Sequence, residues 1–230
     1  MKTRQTGFTL VEIAIVLVII GLLLGGILKG QEMVTQAKIK NVIADFNGIS
    51  AAQYGYQDRY RALPGDDVNA AGRWPAANPP ANLGAAIAPN GDGIITGLYN
   101  NLIAAPLETN MFWNHLRLAG FVAGTGGGQP TNAVTGMLGV QSGGGGGAGS
   151  VMGGLLGAGG FTGLIICSAN LPDKVAIAVD TQLDDGVAAT GQVRAMLQDL
   201  GANQNLKADI SAQGLYQETG TQQYVICKSL

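Results

Sequence analysis

The chain has 230 residues, a formal charge of −2, and 12% charged residues beside 37 glycines. That length allows one globular domain with its own core beyond an N-terminal helix, and is short for two. A mildly acidic chain without a basic cluster has no electrostatic footprint for nucleic acid. No Ser, Cys, Lys or His stands in a nucleophile or acid–base arrangement, so no enzyme is expected.

Met1 to Gly7 form a short leader with two basic residues, Lys2 and Arg4; its loss would move the formal charge from −2 to −4. From Phe8 to Leu28 every residue is apolar, Gly or Thr except Glu12. As a helix this run spans about 31 Å, enough to cross a bilayer. An acid one turn inside it costs about 2.5–3.5 kcal/mol on insertion scales and calls for a partner. A cut after Gly7 supplies one, because the new α-amino group of Phe8 is a cation at the right depth for Glu12 of a neighbouring copy. A secretory signal peptide is the first alternative, with Lys2, Arg4 and the small pair Gly25-Gly26 at a cut. Glu12 interrupts its apolar core, however, and the helical pattern runs on past that point. A plain one-span anchor is the second alternative, and it leaves Glu12 unexplained.

Gly7-Phe8-Thr9-Leu10-Val11-Glu12 followed by an aliphatic run resembles the prepilin signature of type IV pilins and type II secretion pseudopilins. The resemblance implies that a membrane peptidase cuts between Gly7 and Phe8 and methylates the new N-terminus at Phe8. It makes Glu12 the assembly acid. The fold it implies is α+β and pilin-like: a long N-terminal helix, half transmembrane, packed on a small antiparallel sheet with Gly-rich loops. The domains expected are a leader 1–7, a helix 8–58 with its membrane and assembly part at 8–28, and a globular head 59–230.

Along that helix, Gly21, Gly25, Gly26 and Gly30 give small-xxx-small spacings that favour close helix approach in membranes. Lys29 marks the outer, periplasmic edge of the span. Ile39, Val42, Ile43, Phe46 and Ile49 then recur at helical spacing, which predicts a face docked on the head. After Tyr60, Leu63-Pro64-Gly65-Asp66-Asp67 opens a stretch rich in turn formers that extends to about Ala105. Asn90-Gly91-Asp92-Gly93 looks like the middle of a calcium loop, but Ala88 and Tyr99 stand where its first and last acids belong. A tight turn is the expectation there. Pro106 to Gly120 reads as a short helix burying Phe112, Leu116 and Ala119, with Trp113 packing and His115 off the stripe, solvated or hydrogen-bonded.

Residues 124–160 approach low complexity and are expected to be a surface loop. Phe161 to Cys167, Gln192 to Leu197 and Gln223 to Lys228 read as strands, and Pro172 to Leu183 as a helix ended by Asp184-Asp185-Gly186. Cys167 and Cys227, an even pair in an exported domain, read as a disulfide closing a loop of about 60 residues and stabilising by about 3–4 kcal/mol. Asp184 and Asp185 are the best metal-ligand candidates in the sequence. Calcium there, the one cofactor the resemblance brings, competes with the preferred account of a helix-ending turn.

The function expected is therefore a structural subunit of a type IV pilus or type II secretion pseudopilus. Its partners would be itself and other pilins in a helical filament, prepilin peptidase, inner-membrane assembly machinery and membrane lipid. Before assembly it would span the bacterial inner membrane once with its N-terminus cytoplasmic. Afterwards it would lie in a cell-surface or periplasm-spanning filament. The alternative is a membrane-anchored periplasmic accessory or binding protein that does not polymerise.

Overall fold

The computed structural model of the chain describes residues 9–74, 89–101, 107–143, 152, 160–198 and 215–230. The expected cleavage pair, Gly7 and Phe8, lies outside the described residues. So do Pro106 and most of the glycine runs between 144 and 159. The chain divides into two compact units, Met1–Lys38 and Ile39–Leu230.

Helix α1 covers Leu10–Tyr60 and contributes to both units. In the first unit it is bare. Every large apolar side chain from Leu10 to Leu28 is exposed. Side chains added at Gly21, Gly25, Gly26 or Gly30 would meet nothing. Among the described residues α1 is the one helix long and apolar enough to cross a membrane, and none of its apolar window is buried. A surface this apolar is stable in lipid or against other helices, not in water.

In the second unit the same helix turns amphipathic. Ile39, Val42, Phe46, Ile49, Ala52 and Tyr56 are buried at spacings of three and four, as the sequence periodicity requires. The helix runs two residues past the expected Asp58 and stops at Arg61, which adopts a left-handed φ of 54°. Pro64 follows shortly, a residue that cannot continue a helix.

The head is completed by α2 (Ala70–Arg73), α3 (Glu108–Leu118), β1 (Leu138–Ser142), β2 (Leu164–Pro172), α4 (Asp173–Leu183), β3 (Val193–Leu197) and β4 (Gln223–Ser229). The four strands form one antiparallel sheet in the order β1-β2-β4-β3, so the fold is α+β and pilin-like as expected. One core joins the buried stripe of α1 to Phe112, Trp113 and Leu116 of α3, Val175 and Val179 of α4, and sheet residues such as Val140, Ile166 and Ile226. A second, smaller cluster on the sheet contains the disulfide with Tyr99, Ile165 and Val225.

The sheet holds one surprise. β1 lies inside the stretch expected to be a glycine-rich surface loop, and all five of its residues are buried. Leu138 and Val140 alternate with Gly139 and Gln141, but five residues set among glycines are too short a pattern to stand out from a loop. The glycine of β1 has a spatial reason: a Cβ at Gly139 would collide with the Tyr99 carbonyl. The segment before α3 is laced to the same strand, with the Tyr99 N–H donating to Gln141 Oε1 at 2.9 Å and the Ile95 N–H to Ser142 Oγ at 2.8 Å. Backbone cannot yield as a side-chain tip can. Gly139→Ala should therefore destabilise the head by about 3 kcal/mol, at the upper end of ordinary overpacking, measured by urea unfolding.

Candidate functional site

The N-terminal site starts with how α1 begins. Thr9 precedes the first helical turn, and Glu12 lies three residues on. The Thr9 N–H and Oγ1–H both donate to Glu12 Oε2, at 2.8 and 2.9 Å, while the Glu12 N–H donates back to Thr9 Oγ1 at 3.3 Å. This is a reciprocal capping box, which satisfies donors that a helix start leaves orphaned. The acid thus has a partner within its own chain, which the sequence reading did not foresee. Both Thr9 donors use one oxygen, however, and among the described residues nothing bonds Oε1.

In the head, Cys167 and Cys227 face each other on the paired strands β2 and β4 and form a disulfide. Asp184 and Asp185 follow α4. Asp184 Oδ2 accepts from the backbone N–H groups of Gln192 and Val193. Asp185 accepts from the Val187 N–H at 2.8 Å and from Thr190 Oγ1 at 2.5 Å. Both acids therefore organise the loop that returns the chain to β3. Folding also adds a third carboxylate, Asp180, one turn earlier on α4. The three residues each offer an oxygen within 4.8 Å of the others. Asp180 is buried and accepts from Tyr216 Oη at 2.7 Å. Burial raises its carboxyl to about 6, against the pull of that hydrogen bond. A proton or a hard cation would relieve the crowding of negative charge in this corner.

A second polar centre gathers residues far apart in sequence. The Gly65 N–H donates to His115 Nδ1 at 2.9 Å. Gly65 has a φ of +93°, and a Cβ on it would press on the Glu108 carbonyl, so this turn suits glycine. Asp66 accepts from the Gly91 and Gly93 N–H groups at 2.6 and 2.7 Å. The calcium-like loop is therefore closed by a protein carboxylate. Asp67 accepts from Tyr56 Oη at 2.7 Å and from the Asn69 N–H at 2.9 Å, and it is ion-paired with Arg73.

Of the two states expected for His115, solvated or hydrogen-bonded, the structure has the second: it is 2% exposed, because α3 is buried on almost every side, and it accepts from the Gly65 N–H. Burial, reinforced by the Arg73 charge, lowers its pKa to about 4. An unfolded histidine titrates near 6.5. The unfolded chain therefore binds this proton more tightly. The stabilisation is complete above about pH 6.5 and is lost as pH falls towards about 4. The loss should be about 3 kcal/mol. A His115→Gln variant, whatever its stability at pH 7, should lack that share of the acid slope when urea midpoints are compared at pH 7 and pH 4.5.

Comparison with known proteins bears on the N-terminal site alone. No curated protein and no solved structure is similar enough to match the chain. The family model described as the prokaryotic N-terminal methylation motif matches residues 2–28. That segment holds the expected cleavage pair, the capped Glu12 and the bare apolar helix, and it is a type IV pilin-like prepilin motif, pointing to a structural protein anchored in the membrane.

Proposed function

We propose that the chain is a filament subunit of a type IV pilus or type II secretion pseudopilus, cut after Gly7 and polymerised through its N-terminal helix. The observation that carries this reading is the methylation motif coinciding with a helix whose apolar surface is bare. An anchor needs an apolar stretch of that length. It does not need a processing motif in front of the stretch, nor an acid within it. In the filament, packing between helices replaces lipid, and Glu12 receives the Phe8 amine of a neighbour through the oxygen that Thr9 leaves unused.

The competing reading, an anchored accessory protein that never polymerises, draws support from the capping box, since Thr9 already gives the acid a local use. The intact mass and N-terminal sequence of the protein isolated from its own cells are the direct test of processing. A chain beginning at N-methylated Phe8 is expected. A chain beginning near Ile27, or retaining Met1, would remove the helix or its amine and overturn the proposal.

A further inference from the structure

Asn90-Gly91-Asp92-Gly93, the motif that looks like a calcium loop without its outer acids, has a chemistry of its own. An asparagine placed before a glycine is prone to lose its amide, because no Cβ shields the following backbone nitrogen from the side-chain carbonyl carbon. The chain has two such pairs, Asn47-Gly48 and Asn90-Gly91. The fold treats them differently.

Asn47 lies well inside α1. There the Gly48 N–H belongs to the helical ladder, and closing a ring onto Asn47 would break that bond and turn the backbone out of the helix. Asn90 lies outside every helix and strand, and Asn90, Gly91, Asp92 and Gly93 are all exposed. The Gly91 N–H is held by a side chain, Asp66 Oδ1, at 2.6 Å. Giving up that bond costs one contact and no secondary structure.

The reaction balances with water alone. The Gly91 nitrogen passes its proton to hydroxide and attacks Asn90 Cγ. The Cγ–Nδ2 bond breaks, and the proton is returned as the side-chain nitrogen leaves as ammonia. Water then opens the five-membered imide at either carbonyl, giving aspartate or isoaspartate at position 90. Either product unsettles the loop. Asn90 Nδ2 donates to Asp92 Oδ2 at 2.8 Å, and after conversion two carboxylates would meet where that hydrogen bond stood. Isoaspartate also adds a methylene to the backbone, which shifts the N–H groups of Gly91 and Gly93 relative to Asp66.

We infer that Asn90 is a site of spontaneous deamidation selected by the fold, and that its conversion releases the loop from Asp66. The inference is independent of filament assembly, and its failure leaves that reading untouched. The full chain is incubated in detergent micelles, in warm, mildly alkaline buffer made with heavy-oxygen water, and mapped by peptide mass. Asn90 should convert at least tenfold faster than Asn47 and carry the heavy oxygen. In urea, where local sequence alone decides, the two should convert at similar rates. Asn90→Asp, which supplies the charge of the product, should speed amide hydrogen exchange at Gly91 and Gly93 at least tenfold and leave the head part of α1 as in the wild type. Equal conversion of Asn47 and Asn90 in the folded chain, or none at Asn90, would overturn the site. A tenfold difference that persists in urea would remove the fold from the selection. Unchanged exchange at Gly91 and Gly93 in Asn90→Asp would overturn the release of the loop.

Discussion

A subunit carrying Glu12→Gln is expected to enter the membrane and be cut after Gly7, yet to form no filaments. The substitution separates the two uses of this side chain. Glutamine keeps the reciprocal cap with Thr9, since capping boxes accept Glu or Gln at this position, so the start of α1 survives. Insertion should improve, because an acid in this place costs about 2.5–3.5 kcal/mol. What is lost is the charge proposed to pair with a neighbour's amine, and filament yield should fall with it by at least a hundredfold, scored in sheared surface fractions and by electron microscopy. Glu12→Leu, which loses cap and charge together, should behave no worse. Wild-type filament levels from Glu12→Gln with none from Glu12→Leu would make Glu12 a helix cap and nothing more, ending the amine-pairing idea.

Replacing both cysteines, Cys167→Ala with Cys227→Ala, should lower head stability by about 4 kcal/mol. The bridge closes a loop with a sequence separation of 60, and cross-linking a loop of that length removes about that much conformational freedom from the unfolded chain. Its position makes the effect direct: β2 and β4 are the two inner strands of the sheet, and the cysteines are opposite each other in their register. Alanine avoids placing hydroxyls in a site with no solvent access. For a domain of this size the change corresponds to a fall of about 8–16 °C in Tm. Circular dichroism melts with and without a phosphine reductant should show the wild type falling to the variant's Tm only when reduced. A fall of less than 2 °C would mean that the unfolded chain is already compact there.

Whatever depends on neighbours within a few residues is legible along the chain. The processing motif is a set of residue types at fixed short spacing. The apolar run and the later stripe through Val42, Phe46 and Ile49 are helical periodicities, and α3 and α4 have end signals in adjoining residues. Two cysteines leave one intrachain pairing. The capping box is likewise local, Thr9 and Glu12 lying three apart. Features that depend on chain returning from afar emerge with the fold alone. Gly139 is accounted for by the Tyr99 carbonyl, 40 residues away, and β1 becomes a strand through pairing with β2. His115 is buried because the turn at Gly65, 50 residues earlier, closes over it. Asp180 joins Asp184 and Asp185 when the end of α4 and the loop behind it bring their oxygens together.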